Sequence, residues 1–109
     1  MKMSSVLLHT KKNQITGRLV RMEGGKIVGY CALGLLGCKK HLMKSTMSED
    51  EMNKIDYRAI LAAYGVKDEL FEYKPDAAMK YLSYIIWNLN DTQYLSFKEI
   101  GEWLKSVGL

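Results

Sequence analysis

Residues 15–36 run Ile15-Thr16-Gly17-Arg18-Leu19-Val20-Arg21-Met22-Glu23-Gly24-Gly25-Lys26-Ile27-Val28-Gly29-Tyr30-Cys31-Ala32-Leu33-Gly34-Leu35-Leu36. Two periodicities meet in this stretch. Ile15, Leu19 and Val20 are strand formers, and Arg18 and Arg21 are placed to face solvent. Glu23-Gly24-Gly25 predicts a turn, because paired glycines supply the positive φ angles of a short hairpin loop. Lys26–Tyr30 then returns as the second strand. From Cys31 to Met43 the spacing predicts a helix with Leu33, Leu36 and Leu35 toward the core, and Lys39 and Lys40 suit its C-terminal dipole. Gly34 and Gly37 each cost about 1 kcal/mol against Ala inside a helix. Their i, i+3 spacing predicts close approach of another backbone, either a neighbouring helix or the hairpin itself.

Outward from this junction, Met1–Gln14 is polar apart from Val6-Leu7-Leu8. It reads either as a flexible end or as a short edge strand that lends the hairpin a third member. Ser45–Ser48 is a break. Ser48-Glu49-Asp50-Glu51 is a capping box that opens a helix reaching Tyr64, with a bend near Asp56 and a stop at Gly65. Val66–Lys74 is a short charged connection anchored by Leu70 and Phe71. Pro75 fits the first position of the next helix, on which Met79, Leu82, Ile85, Ile86 and Leu89 recur at helical spacing. Asn90-Asp91-Thr92 ends it. A second capping box, Ser96 with Glu99, starts the last helix, and Leu95 and Ile100 form its hydrophobic staple. The expected fold is α+β: one domain over residues 1–109, with a small β-hairpin or three-stranded antiparallel sheet packed on about four α-helices.

The chain has 109 residues, 48% hydrophobic and 26% charged, at globular averages. Its aromatic set is Tyr-rich, seven Tyr against two Phe and two Trp, which favours residues at the core boundary or an interface. No apolar run approaches the roughly 18 residues that span a bilayer, and Met1–His9 lacks the pattern of a signal peptide. No membrane contact is expected, and the expected location is cytoplasmic. The formal charge of +4 is unevenly spread: nine basic and one acidic side chain over residues 1–47, seven and eleven over residues 48–109. Such a division fits a nucleic-acid face, an electrostatically steered protein contact, or self-complementarity in a homodimer or larger oligomer.

Three residues invite a catalytic reading. Cys31 follows a strand at a helix N-terminus, where free N–H groups and the dipole stabilise a thiolate. His9 is the one histidine able to serve it as base. His41, on a continuous helix from Cys31, would lie about 15 Å away. Asp91, beside Asn90, is the third, although Asn and Asp also end helices through side-chain bonds to backbone. Packing is the stronger expectation for Cys31. Cys31 and Cys38, seven residues apart on one helix, are separated by about 10 Å of rise, too far for a disulfide. Cys31, Cys38, His9 and His41 lack zinc-site spacing, and no phosphate loop follows Gly24-Gly25-Lys26. No metal and no cofactor are expected. The binding candidates are Lys11, Lys12, Arg18, Arg21 and Lys26 along the hairpin, with Tyr30 able to stack.

Three segments together carry a resemblance. Tyr30-Cys31-Ala32-Leu33-Gly34-Leu35-Leu36, the hairpin with Gly17 and Gly24-Gly25-Lys26, and the ending Leu89-Asn90-Asp91 … Ser96-Phe97-Lys98-Glu99-Ile100 … Leu104 resemble a family of small uncharacterised proteins common in phages and mobile elements. The chain departs from that pattern at Leu35, usually Ala, and Leu89, usually aromatic. The resemblance implies context rather than chemistry: a viral or mobile-element accessory protein, non-enzymatic, that binds or inhibits a host protein complex in the host cell, as anti-defence and anti-CRISPR-like inhibitors do. Nucleic-acid binding through the basic hairpin is the second expectation, and a small Cys-dependent enzyme the third.

Overall fold

The structure, a computed structural model, describes residues 1–44 and 46–109. Ser45, the first residue of the expected break, lies outside the described residues. Among the described residues there are six short helices and two separate two-stranded antiparallel sheets, an α+β architecture.

The first hairpin forms where the glycines dictate. Strands β1 (Val20–Glu23) and β2 (Lys26–Tyr30) are joined by Gly24 and Gly25, whose φ angles of 56° and 76° are those of a two-residue type I′ turn. The first strand is shorter than the pattern suggested. Residues 15–19 are irregular, and Gly17 adopts φ 85°. The third strand is reduced to one parallel bridge, Gln14 beside Tyr30, closed by Ile15 N–H to Tyr30 O and Tyr30 N–H to Asn13 O, both 2.9 Å.

Helix α2 (Ala32–Lys39) follows at once, with Cys31 as its N-cap. It stops before the expected Met43. His41 takes a left-handed φ of 61°, and the N–H groups of His41 and Leu42 return to Cys38 O and Gly37 O. That bond pattern is a Schellman ending with His41 where Gly is usual. His41 is therefore past the helix, not along it.

Before that bridge, the N-terminal segment is not an edge strand. It is helix α1 (Met3–His9), with Met3, Val6 and Leu7 buried. It lies on α6 (Phe97–Ser106), where a Cβ at Gly101 would stand 2.9 Å from Leu8 Cγ. A seven-residue helix has little stability of its own, so this burial selects it.

The expected helix from Ser48 to Tyr64 is two helices, α3 (Glu49–Asn53) and α4 (Tyr57–Ala62). Asp56 makes a second N-cap, accepting Arg58 N–H at 2.9 Å, and turns the expected bend into a break.

The largest correction falls between Val66 and Tyr81. Strand β3 (Leu70–Tyr73) pairs with β4 (Ala78–Tyr81), and Pro75 sits in the turn between them rather than at a helix start. Asp76 accepts Ala78 N–H at 3.0 Å, and Ala77 takes φ 55°. Pro before Asp suits a turn as well as a first helical turn, and the alternating burial of Phe71 and Tyr73 decides between them. Met79, expected on a helix, is on β4 and 57% exposed. Helix α5 (Leu82–Asp91) therefore begins at Leu82. Asp68 serves as its remote cap, accepting Ser83 N–H at 2.9 Å and Ser83 Oγ–H at 2.7 Å.

The core lies between α2, α4, α5 and α6. Leu36, Ile60, Leu61, Leu82, Ile85, Ile86, Ile100 and Leu104 are fully buried there. No helix among the described residues is long and apolar enough to cross a membrane.

Candidate functional site

The first hairpin is anchored at its base and free at its tip. Gly34 explains the anchoring. A Cβ there would stand 1.9 Å from Leu19 O, so the chain entering β1 rests directly on the backbone of α2. Cys31 N–H donates to the same Leu19 O at 2.9 Å. The close approach expected of Gly34 is to the hairpin, whereas Gly37 faces Met43 and Ile60 side chains.

On the other side, Asn53 of α3 closes the outer edge of β1. Its Oδ1 accepts Val20 N–H at 3.0 Å and its Nδ2 donates to Val20 O at 3.1 Å, as a neighbouring strand would. This blocks the strand edge at Val20.

Lys11, Lys12, Arg18, Arg21 and Lys26 are all exposed, on and beside the hairpin. They are not equivalent. Arg18 Nη1 is 2.8 Å from Glu49 Oε1, which brings the acidic start of α3 beside the hairpin. Arg21 lies 3.9 Å from Glu23. Lys11, Lys12 and Lys26 form no salt bridge among the described residues. Gly17, Arg18, Glu49, Asp50 and Asn53 line an open hollow of about 540 Å³ at this flank. Tyr30, expected to stack on a partner, packs against the core and is only partly exposed. Burial raises its phenol pKa.

Of the catalytic candidates, the fold brings Cys31 and Asp91 near each other, with His9 on a separate groove. Cys31 is buried, and its Sγ accepts Gly34 N–H at 3.3 Å. Burial pushes the thiol up to about 12, the Gly34 N–H counteracts this, and the nearby Asp91 charge adds to it. Desolvation thus outweighs the helix N-terminus. His9 is exposed at the end of α1, on a groove with Lys12, Leu35 and Lys39, and makes no hydrogen bond to Cys31. Asp91 is held in place: Oδ2 accepts Gly17 N–H at 2.8 Å and Oδ1 accepts Asn90 Nδ2 at 2.7 Å. Both cysteines are free.

Asn90, expected to end its helix, is also the polar centre of the fold. It is 1% exposed. Its Oδ1 accepts Ala32 N–H at 3.1 Å and Gln14 Nε2 at 2.8 Å, and its Nδ2 donates to Ile15 O at 2.9 Å. Gln14 in turn donates to Leu95 O and accepts Phe97 N–H. The Tyr-Cys-Ala and Asn-Asp segments are thereby one site in space. Neither Asn53 nor Gln14 has a local signal, because their partners lie 33 and 76 residues away. No protein-family model, curated protein or solved structure matches this chain.

Proposed function

We propose that this chain is a small non-enzymatic accessory protein of viral or mobile-element origin that binds a host protein complex in the cytoplasm, as an anti-defence inhibitor does. The observation that carries this reading is the Arg18–Glu49 contact at 2.8 Å. It joins the exposed cations of the hairpin to the acidic residues Glu49 and Asp50 in one mixed-sign face. A protein partner can answer both signs, which gives steering and register. A phosphate backbone would be repelled by the acidic flank. The buried, protonated Cys31 weighs in the same direction against thiol chemistry.

Capture from host lysate tests it. Arg21→Glu with Lys26→Glu removes two exposed cations without touching the Arg18–Glu49 pair, and the captured complex should be lost. Undiminished capture by that variant overturns the hairpin as the contact. Tight DNA or RNA binding that falls steeply with salt would instead assign the face to nucleic acid.

A further inference from the structure

We propose that this chain associates with a second copy of itself, the β3–β4 hairpin of one copy seating in the groove between α1 and α2 of the next. The register pairs Leu70 with Tyr81 and Glu72 with Met79, so these four side chains share one face of the hairpin. The opposite face is used internally: Phe71 packs edge-on to Trp103 at 6.4 Å, and Tyr73 is buried and donates its hydroxyl to Asn88. The outer face is left largely open. Leu70, Met79 and Tyr81 are 51%, 57% and 56% exposed, and Tyr84, on the following helix, is 43% exposed. Half of the large exposed apolar side chains thus stand on four residue pairs of sheet. Scattered exposed hydrophobics need no explanation, but a register-matched set on one face marks a contact.

The groove is its chemical complement. It has a volume of about 210 Å³, larger than the roughly 150 Å³ cavity that takes up benzene, and so admits a leucine or the ring of a tyrosine. Val6 and Leu35 form its floor, Met1 a wall, and His9, Lys12 and Lys39 its rim. No acidic side chain lines it, and Lys12 and Lys39 form no salt bridge among the described residues. Leu70 arrives beside Glu72, an exposed carboxylate on its own face. Seating Leu70 therefore brings an acid to two unpaired lysines. Because the two surfaces differ, the contact is heterologous.

Sedimentation velocity over a concentration series tests this with the intact chain. Self-association should be present at about 50 mM salt and at least tenfold weaker at about 500 mM. Leu70→Ser with Glu72→Lys in one variant, and Lys12→Glu with Lys39→Glu in another, should each be monomeric with unchanged circular dichroism. Mixed in equal amounts, they should form a one-to-one complex, since each retains the surface the other has lost. A wild-type chain that stays monomeric at every concentration in low salt overturns the proposal. So does persistent association of either folded variant alone, or a mixture that remains monomeric.

Discussion

Asn90 Oδ1 accepts the backbone N–H of Ala32 at 3.1 Å, which ties the end of helix α5 to the start of helix α2 across 58 residues of sequence. The same side chain holds Ile15 O through Nδ2 at 2.9 Å. One buried amide therefore sets where the hairpin leaves the core, and the orientation of the exposed cations depends on it.

Asn90→Ala should destabilise the fold by about 2–4 kcal/mol, because it strands the buried Ala32 N–H and the part-buried Ile15 carbonyl together. Urea denaturation measures this. A loss under about 0.5 kcal/mol would show that water replaces the amide at no cost.

Gly34→Ala and Gly37→Ala should separate sharply. At Gly34 the new methyl meets Leu19 backbone at 1.9 Å, which cannot yield without moving β1, and a loss above about 3 kcal/mol is expected. At Gly37 the nearest atom is Met43 Cε at 2.9 Å, the far end of a flexible side chain. The helix-propensity gain of about 1 kcal/mol should there leave stability near or above wild type. Thermal melts of the two variants decide it.

Alkaline pH should destabilise the protein. Burial raises Cys31 from 9.0 to about 12 and Tyr64 from 10.0 to about 12. Each group stays protonated in the folded chain while the unfolded chain loses its proton, so the stabilisation is complete below the unfolded pKa and is lost as pH rises toward the folded one. The window opens at about pH 9 for Cys31 and about pH 10 for Tyr64. Denaturation midpoints between pH 8 and pH 11 should fall, and Cys31→Ala should flatten the early part of that fall. Alkylation of Cys31 should proceed at the rate of unfolding; rapid modification of the native protein would contradict its burial.

Arg18→Ala and Asn53→Ala compare two tethers of the same hairpin. The Arg18–Glu49 pair is exposed, and its loss should cost under about 1 kcal/mol. Asn53 bonds both polar groups of the Val20 backbone, and its loss should cost about 1–3 kcal/mol. Chemical denaturation orders them, and the reverse order would make the ion pair the principal tether.

Local chemistry was enough for the elements that close on themselves. Gly24-Gly25 makes its turn with the two positive φ angles it needs, and Ser48 with Glu51 and Ser96 with Glu99 form both reciprocal capping bonds. Gly65, with φ 70°, ends the chain's fourth helix as expected, its N–H returning to Ala62 O and that of Val66 to Leu61 O. Each signal acts within a few residues, so its meaning does not depend on the rest of the molecule.

Where a segment had two local solutions, a distant surface chose. Val6-Leu7-Leu8 suits a strand or a helix, and the face of α6 that exposes Gly101 makes it a helix. Pro75-Asp76 suits a helix start or a turn, and the burial of Phe71 and Tyr73 against Trp103 and Asn88 makes it a turn. Cys31 obeys the same rule: a helix N-terminus lowers a thiol pKa, but the core around it removes the water that a thiolate requires. By itself, then, the sequence determined the first hairpin, its junction with α2, the two capping boxes and the division of charge along the chain. The tertiary structure alone decided which of those charges are free, which apolar face is left uncovered, and that Asn90 holds the junction together, because burial and hydrogen-bond partners are properties of residues far apart in the chain.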